Sequence, residues 1–201
     1  MHKRVYAFSL LAGKVSFTAL KGPQSAVIQS YTISSRVQEQ RMHNDIFSLA
    51  SQVGLALQAK GWLLATAESC TGGGVAQAVT DIAGSSAWFE RGFVTYSNAA
   101  KTDLLNVPAA LIAEVGAVSE EVAAAMAEGA LSNSDTQVAV STTGIAGPGG
   151  AVPGKPVGTV CFGWAHGAIV HTERRVFAGD RQAVREQAIA HALQGLLRFI
   201  Q

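Results

Sequence analysis

Hydrophobic residues recur at the spacing of an α-helix in several stretches of the chain. Ile46, Leu49, Val53 and Leu57 follow this period, which predicts a helix over residues 44–60 that stops at Gly61. Five further helices are predicted from capping residues and helical patterning: 75–82, 98–105 capped by Asn98, 108–115 with Pro108 in its first turn, a long alanine-rich helix after Ser119, and 180–199 capped by Asp180.

Short apolar runs separate these helices and are typical of buried strands. They cover residues 62–67, 93–96, 138–143, 157–165 and 168–177. The last two runs flank His166 and Gly167, which predicts a tight hairpin, so part of the sheet must be antiparallel. Strands that alternate with helices predict a three-layer α/β/α domain with a mixed sheet.

Composition excludes several classes of protein. The 201 residues are 48% hydrophobic and 14% charged, which is sufficient for a core and unlike a disordered chain. The net charge of +1 gives no field for nucleic acid or an anionic membrane, and no apolar run is long enough to span a bilayer. Cys70 and Cys161 lack metal-site spacing, so we expect reduced thiols in a cytoplasmic protein.

The first 41 residues differ in charge from the rest. They contain six Lys or Arg and one acid, a net charge of +5, whereas residues 42–201 carry nine basic and thirteen acidic residues, a net charge of −4. A secretory signal or a basic organelle-targeting segment would also be basic. We favour a poorly ordered extension or an overcalled start over residues 1–41, followed by one folded domain over 42–201.

Two glycine-rich segments each follow a predicted strand, at the position where α/β folds bind ligands. Residues 69–74 read SCTGGG and residues 141–150 read STTGIAGPGG. The first segment leads into a helix, so its backbone N–H groups can stabilise an anion or a developing oxyanion. Neither segment matches a P-loop or a dinucleotide-binding motif. Each alone is a weak signal, because such turns are more commonly structural.

Ser69 and Lys101 are the candidate nucleophile and base. Ser69 lies on a tight strand-to-helix turn, as in hydrolases, although G-x-S-x-G is absent and a serine there is more commonly a helix cap. No histidine adjoins a glycine-rich segment. Lys101 follows a strand at a helix start, where the helix field and partial burial would lower its pKa. Position in the sequence alone favours an ordinary solvent-exposed side chain for Lys101. Tyr96 could orient a group or relay a proton, but its position alone favours an ordinary packing role in its strand.

Two arginines on the last predicted helix are candidates for binding an anion. Arg181 and Arg185 are four residues apart and therefore share one face. Arg181 is at the helix start, where guanidinium and backbone N–H groups can hold a phosphate together. The alternative is an ion pair between Arg181 and Asp180 or another acid.

Six motifs together resemble the CinA C-terminal domain family, whose characterised members are nicotinamide-nucleotide amidases. In chain order they are AESCTGG at 67–73, GFVTYSNAAK at 92–101, GAVS at 116–119, TGIAGP at 143–148, KPVGTV at 155–160 and GDR at 179–181. The resemblance covers about residues 44–200. The larger N-terminal enzymatic domain of some CinA proteins is absent from these 201 residues, so its activities are not carried over.

The resemblance implies hydrolysis of nicotinamide mononucleotide to nicotinate mononucleotide and ammonia, a reaction of pyridine-nucleotide salvage. It implies a serine nucleophile at Ser69, a lysine base at Lys101 and a nearby tyrosine at Tyr96. It also implies pocket residues at Thr143 and Gly144.

The remaining expectations about the site concern substrate binding. The resemblance implies that Arg181 contacts the substrate. Because the first glycine-rich segment leads into a helix, we expect its backbone N–H groups to bind the oxyanion. These belong to Cys70, Thr71, Gly72 and Gly73. The reaction needs no metal and no organic cofactor, and we expect the small-molecule substrate to be the partner, with no nucleic acid and no membrane.

Two alternatives remain open at this stage. One is a non-catalytic nucleotide-binding or competence-associated module of the same family. The other is a cysteine amidase in which Cys70 is the nucleophile, helped by Glu68 and Lys101, because a thiol near a helix N-terminus has a lowered pKa. The sequence leaves open whether the chain forms a homo-oligomer.

Overall fold

A computed structural model describes residues 6–11, 14–19 and 33–201 of the chain. The predicted lack of order over residues 1–41 falls in part on residues 1–5, 12–13 and 20–32, which lie outside the described residues. Strands β1 (Tyr6–Leu11) and β2 (Lys14–Ala19) pair antiparallel. Residues up to Asn44 form one compact unit and residues from Asp45 form another, and the candidate site lies in the second.

The second unit contains alternating helices and strands. In chain order the elements are α1 (Ile33–Lys60), β3 (Leu64–Glu68), α2 (Gly74–Thr80), a 3-10 turn (Ser85–Ala87), β4 (Phe89–Val94), α3 (Asn98–Leu105), α4 (Ala109–Val115), α5 (Glu120–Ser132), β5 (Val138–Gly144), β6 (Thr159–His166), β7 (Ile169–Val176) and α6 (Arg181–Phe199). Helix α1 begins in the first unit. No helix among the described residues is long and apolar enough to cross a membrane.

Over residues 44–201 the predicted element types are right and most bounds agree within two residues, but the starts of α1 and β4 and the cap of α3 are wrong, and strands β1 and β2 were not predicted. Helix α1 begins at Ile33 rather than at residue 44, because residues 36–41 are mostly Arg, Gln and Glu, which favour helix without an apolar period. Strand β4 begins at Phe89 rather than at residue 93. Helix α3 is capped by Ser97, whose Oγ accepts a hydrogen bond from the N–H of Ala100 at 3.0 Å, rather than by Asn98.

The five strands of the second unit form one mixed sheet in the order β4-β3-β5-β6-β7. Strands β4 and β5 both pair with β3 in parallel. Strands β5, β6 and β7 pair antiparallel, and the β6–β7 hairpin turns where the sequence predicts it. The predicted α/β class with a mixed sheet is therefore confirmed.

Helices cover both faces of this sheet, as the three-layer prediction requires. Successive side chains of β3 point to opposite faces of the sheet. Leu64 therefore packs in one core, and Ala65 and Ala67 pack in the other. The first core contains apolar residues of α1, α2 and α6, among them Val53, and the second contains residues of α3, α4 and α5, among them Met126.

The parallel pairing of β3, β4 and β5 decides where a site can form. Strands in parallel end at the same edge of the sheet, so the turns that follow them lie side by side. Glu68, the last residue of β3, is opposite Val94 of β4 and Thr142 of β5. This edge therefore brings together Ser69, the chain that leads to Lys101, and the glycine-rich loop after Gly144.

Candidate active site

Ser69 is the first residue after β3, on a turn whose backbone is held on both sides. Its N–H donates to the carbonyl of Thr142 at 2.9 Å, and its own carbonyl accepts from the N–H of Gly72 at 3.1 Å. Gly72 and Gly73 have φ values of +62° and +92°, in the left-handed region that favours glycine. The turn leaves the Ser69 side chain at 8% exposure, within reach of a small ligand and largely shielded from water.

Lys101 extends from the first turn of α3 to this serine. Its Nζ lies 3.0 Å from Ser69 Oγ, 2.8 Å from the carbonyl oxygen of Thr95 and 3.4 Å from that of Tyr96. The residue is only 1% exposed. Burial lowers the pKa of Lys101 below its ordinary value, because the charged form loses hydration. Both the pairing with Ser69 and the direction of this shift agree with the sequence-based expectation.

The three oxygens around Lys101 suit a neutral amine that acts as a base. A neutral amine has two N–H groups and one lone pair. When the carbonyls of Thr95 and Tyr96 accept the two N–H groups, the lone pair is left to accept the proton of the Ser69 hydroxyl. After proton transfer, the ammonium has three N–H groups for the same three oxygens. These three oxygens can therefore satisfy the amine in both its neutral and its protonated form.

Cys70, next to Ser69, has an environment that opposes a thiolate. Its side chain is 5% exposed. Burial raises the pKa of the Cys70 thiol to about 12, and the nearby charge of Glu68 adds to the increase against the lowering effects of backbone N–H groups and of Lys101. The expectation that the helix start lowers this pKa is wrong, because burial outweighs the contribution of the N–H groups.

The N-terminus of α2 is occupied by a side chain of the protein itself. The N–H groups of Val75 and Ala76 donate to the Glu68 carboxylate at 3.0 and 2.8 Å. The N–H of Gly72 is bonded to Ser69. Of the residues expected to bind an oxyanion, Cys70 and Thr71 are the two nearest to Ser69 in the chain, and their backbone N–H groups lie close enough to the Cys70 thiol to lower its pKa.

A cavity of about 200 Å³ opens beside the Ser69 and Lys101 pair. It is lined by Ser69, Cys70, Tyr96, Asn98, Lys101, Ala117, Val118, Thr143, Gly144, Ala146 and Arg181. Thr71, Gly72 and Gly73 do not line it. Sequence reasoning missed Asn98, Ala117, Val118 and Ala146, although three of the quoted motifs contain these four residues.

Thr143 and Gly144 form the part of the wall that β5 contributes. The Thr143 hydroxyl donates to the carbonyl of Ala117 at 2.8 Å, so it fixes the segment before α5 against the sheet. A Cβ atom at Gly144 would lie 2.8 Å from the carbonyl oxygen of Thr159 and 3.0 Å from Cys70 Sγ. Glycine is therefore required here by packing.

Arg181 joins two walls at the mouth of the cavity. One Nη atom donates to the carbonyl of Gly147 at 3.1 Å and the other to the hydroxyl of Tyr96 at 3.0 Å. Tyr96 is 61% exposed. Its hydroxyl accepts a hydrogen bond from Arg181, and its backbone carbonyl accepts one from Lys101 Nζ. Asp180 caps α6 by accepting from the N–H of Ala183 at 2.9 Å, instead of pairing with Arg181.

A second cavity, of about 590 Å³, adjoins the first at Arg181 and extends along α6. It is lined by Gly74, Gln77, Asp180, Arg181, Gln182, Arg185, Glu186 and Ile189. Arg185 donates to the carbonyl of Thr71 at 2.8 Å. Within the described part of the chain, no group of three His, Cys, Asp or Glu residues is arranged to hold a metal ion.

Residues 46–200 match the model of the CinA C-terminal domain. The chain is 54% identical over 154 residues to the "Nicotinamide-nucleotide amidohydrolase PncC" of Pseudomonas putida, an alignment that covers 77% of this chain and 96% of that protein. It is 56% identical over 155 residues to the protein of the same name from Escherichia coli K12, with 76% and 93% covered.

The fold agrees with a solved structure of similar sequence. The crystal structure of the competence/damage inducible protein CihA from Agrobacterium tumefaciens superposes with a TM-score of 0.76 at 43% identity. The superposition covers 78% of this chain and 96% of that one.

Proposed function

The chain belongs to the CinA C-terminal domain family, and from this premise we propose that it is a nicotinamide-nucleotide amidohydrolase with Ser69 as nucleophile and Lys101 as base. The observation that supports these roles best is the 3.0 Å approach of Lys101 Nζ to Ser69 Oγ in a buried site. The reaction is hydrolysis of nicotinamide mononucleotide to nicotinate mononucleotide and ammonia, in pyridine-nucleotide salvage.

The first half of the reaction forms an ester between the enzyme and the substrate. Lys101 accepts the proton of the Ser69 hydroxyl as Oγ attacks the carboxamide carbon. The N–H groups of Cys70 and Thr71 stabilise the oxyanion of the tetrahedral intermediate. The C–N bond then breaks, the Lys101 ammonium returns its proton to the leaving nitrogen, and ammonia departs.

The second half restores the serine. A water molecule attacks the ester carbonyl while Lys101 accepts its proton. Collapse of the second tetrahedral intermediate breaks the bond to Ser69 Oγ, and Lys101 returns the proton to this oxygen. The carboxylic acid that is formed releases its proton to solvent, and the product leaves as the carboxylate. Because burial lowers the pKa of Lys101, more of the amine is neutral at a given pH, and the rate falls as pH falls through that lowered pKa.

Arg181 is proposed to hold the phosphate-bearing end of the substrate. It lies where the cavity beside Ser69 meets the larger cavity along α6. An arginine here, with Arg185 four residues on, provides a cationic mouth for an anionic nucleotide. Binding of a phosphate would replace the contacts of Arg181 with Tyr96 or Gly147 by a charge-assisted pair.

The alternative nucleophile has less support. A cysteine mechanism needs a thiolate at Cys70, whereas burial raises the pKa of this thiol to about 12. The Lys101 amine is hydrogen-bonded to the serine instead. Cys70 and Cys161 are both free, which is compatible with the proposal that the enzyme acts in the reducing cytoplasm.

The decisive experiment is to incubate the purified full-length protein with nicotinamide mononucleotide and to measure ammonia and nicotinate mononucleotide together. We expect equimolar formation of the two products by the wild-type protein and none by Ser69→Ala. Ser86→Ala, at an exposed serine, is the matched control and should retain full activity. A wild-type protein that releases no ammonia would contradict the proposed function and favour a non-catalytic nucleotide-binding module.

A further inference from the structure

The Glu68 carboxylate is buried directly before the candidate nucleophile. Glu68 is the last residue of β3 and is 1% exposed. One carboxylate oxygen accepts from the hydroxyl of Thr71 at 2.7 Å and from the N–H of Val75 at 3.0 Å, and the other accepts from the N–H of Ala76 at 2.8 Å. All three donors follow Ser69 in the chain, so one side chain connects the two ends of the turn that carries the nucleophile.

A second set of contacts ties the same turn to β5. The hydroxyl of Thr71 lies 2.7 Å from that of Thr142, and the N–H of Ser69 donates to the carbonyl of Thr142. Thr71 is fully buried, and its carbonyl accepts from Arg185. The hydroxyl of Thr71 thus joins the Glu68 carboxylate to the strand that supports Ser69.

Lys101 is held by other parts of the chain. Apart from Ser69, its partners are the carbonyls of Thr95 and Tyr96, which lie between β4 and α3. The distance between nucleophile and base therefore depends on two segments, the turn after β3 and the chain between β4 and α3, which are joined where the N–H of Thr95 donates to the backbone carbonyl of Glu68 at 2.7 Å. A displacement of about 1 Å between reacting groups can reduce a rate about 100-fold.

We propose that Glu68 is a positioning residue that holds the turn after β3 so that the Ser69 hydroxyl faces Lys101. The inference rests on the proposed function, because it concerns the geometry of that reaction. Ion pairs among the described residues do not include Glu68, so hydrogen-bond donors of the turn and of α2 are what compensate its burial. The turn and the carboxylate therefore hold each other in place.

Glu68→Gln tests this assignment with little change in volume. A glutamine has one acceptor oxygen and one donor nitrogen, so it cannot accept all three hydrogen bonds that the carboxylate accepts. We expect kcat to fall about 100-fold while KM for nicotinamide mononucleotide stays within about twofold, because Glu68 does not line the substrate cavity. Glu128→Gln, at an exposed glutamate, is the matched control and should keep both constants.

Thr71→Val is a second variant that keeps the charge of Glu68. It removes the hydroxyl that joins Glu68 to Thr142 at nearly constant volume, and kcat should again fall with little change in KM. Thr80→Val removes an exposed hydroxyl on α2 and should leave kcat unchanged. A kcat within threefold of the wild type in both Glu68→Gln and Thr71→Val would overturn the proposal.

The two cysteines report on the turn independently of turnover. The charge of Glu68 helps to raise the pKa of Cys70, whereas burial and then Glu120 raise that of Cys161, to about 11. Because Thr71→Val keeps the charge of Glu68, labelling of this variant reports exposure of the turn and not the loss of that charge. Alkylation by iodoacetamide, followed by peptide mass spectrometry, should become severalfold faster at Cys70 in Thr71→Val and stay unchanged at Cys161.

Each outcome of this labelling decides between local and global effects. Faster labelling at Cys70 alone supports a locally held turn. Equal acceleration at Cys70 and Cys161 would show general loss of stability and would overturn the positioning role, as would unchanged labelling at Cys70. If the wild type releases no ammonia, the proposed function fails, and the labelling still decides whether Glu68 holds the turn.

Discussion

Replacement of Lys101 by methionine is the sharpest test of the proposed base. Methionine retains an unbranched, flexible side chain that can fill the buried space, and it removes only the amine and its hydrogen bonds. The amine lies 3.0 Å from Ser69 Oγ and 2.8 Å from the carbonyl oxygen of Thr95. Without it, no titratable nitrogen among the described residues is hydrogen-bonded to the Ser69 hydroxyl. We therefore expect the nucleophile to remain in place but unactivated.

The magnitude follows from the role of the amine. A positioned general base contributes a factor of about 10²–10⁴ to the rate, which corresponds to about 2.7–5.5 kcal/mol in the activation free energy. Lys101 serves both halves of the reaction, so kcat for Lys101→Met should fall by an amount near the upper end of that range. Adding Ser69→Ala to Lys101→Met should cost much less than the sum of the separate losses, because the two groups act as a unit.

The stability of the same variant has a pH dependence of known sign. Burial lowers the pKa of Lys101 in the folded protein, whereas its ordinary value is 10.5. Between these two values the unfolded chain binds more protons, so the free energy of unfolding rises with pH by at most about 1.4 kcal/mol per unit. Methionine does not titrate, so the free energy of unfolding of Lys101→Met should decrease relative to that of the wild type as pH rises toward 10.5.

Two measurements check the prediction. Ammonia release and nicotinate mononucleotide formation give kcat, and urea unfolding at pH 7 and near pH 9.5 gives the change in unfolding free energy. Lys60→Met, at an exposed lysine, is the control for a loss of positive charge. A folded Lys101→Met enzyme with more than a tenth of the wild-type kcat would refute Lys101 as the base.

Three further predictions concern the nucleophile, the substrate and the N-terminal segment. Cys70→Ala should retain much of the wild-type kcat while Ser69→Ala has none, and a folded but inactive Cys70→Ala enzyme would favour the cysteine mechanism. Arg181→Ala should weaken binding of nicotinamide mononucleotide by about 1.5–3 kcal/mol and binding of nicotinamide riboside much less. Both changes are measured as KM, and an equal increase in KM for the two substrates would contradict the phosphate assignment. A chain that starts at Met42 should retain its amidase activity and its thermal midpoint, since the family match begins at residue 46; a large loss of either would show that residues 1–41 support the domain.

The meeting of Ser69 and Lys101 could be predicted because topology places it. Both residues follow strands that the apolar pattern identifies, and neighbouring parallel strands end at the same edge of a sheet. Lys101 follows Ser69 by 32 positions, and the chain between them contains α2, the 3-10 turn and β4. What the pattern could not give is the depth of burial of Lys101, because this depends on how α3 and the segment before α5 pack around it.

The cap of α3 was predicted at the wrong residue for a local reason. Ser97 and Asn98 are adjacent, and both residue types favour the N-cap position. Ser97 has the extended backbone of an N-cap, with φ −83° and ψ 163°, and helical geometry begins at Asn98; the sequence alone does not indicate which of the two adjacent residues turns into the helix. The early start of β4 was missed because Glu90, Arg91 and Gly92 interrupt the apolar run, as is common in an edge strand.

The role of Glu68 was underestimated because its partners are far from a standard capping pattern. A capping box pairs residues three apart, whereas Glu68 accepts from N–H groups seven and eight residues later. The sequence-based reasoning assigned the N-terminus of α2 to an oxyanion. An acid placed just before a glycine-rich turn and a helix is the signal that could have identified the actual occupant.

The choice between two adjacent nucleophiles follows from where charge is placed around them. Cysteine is intrinsically the better nucleophile, but only as a thiolate, and Cys70 is buried beside the carboxylate of Glu68, both of which raise its pKa. Serine needs a base instead, and Lys101 is buried enough for its pKa to fall and close enough to Ser69 to accept the proton. In the proposed mechanism, burial thus favours Lys101 as a neutral base and disfavours Cys70 as a thiolate, because it lowers the pKa of the first and raises that of the second. If Glu68 has the positioning role that we propose, it contributes to both sides of this selection: its charge raises the pKa of Cys70, and its hydrogen bonds to Thr71, Val75 and Ala76 hold the turn that presents Ser69 to the amine.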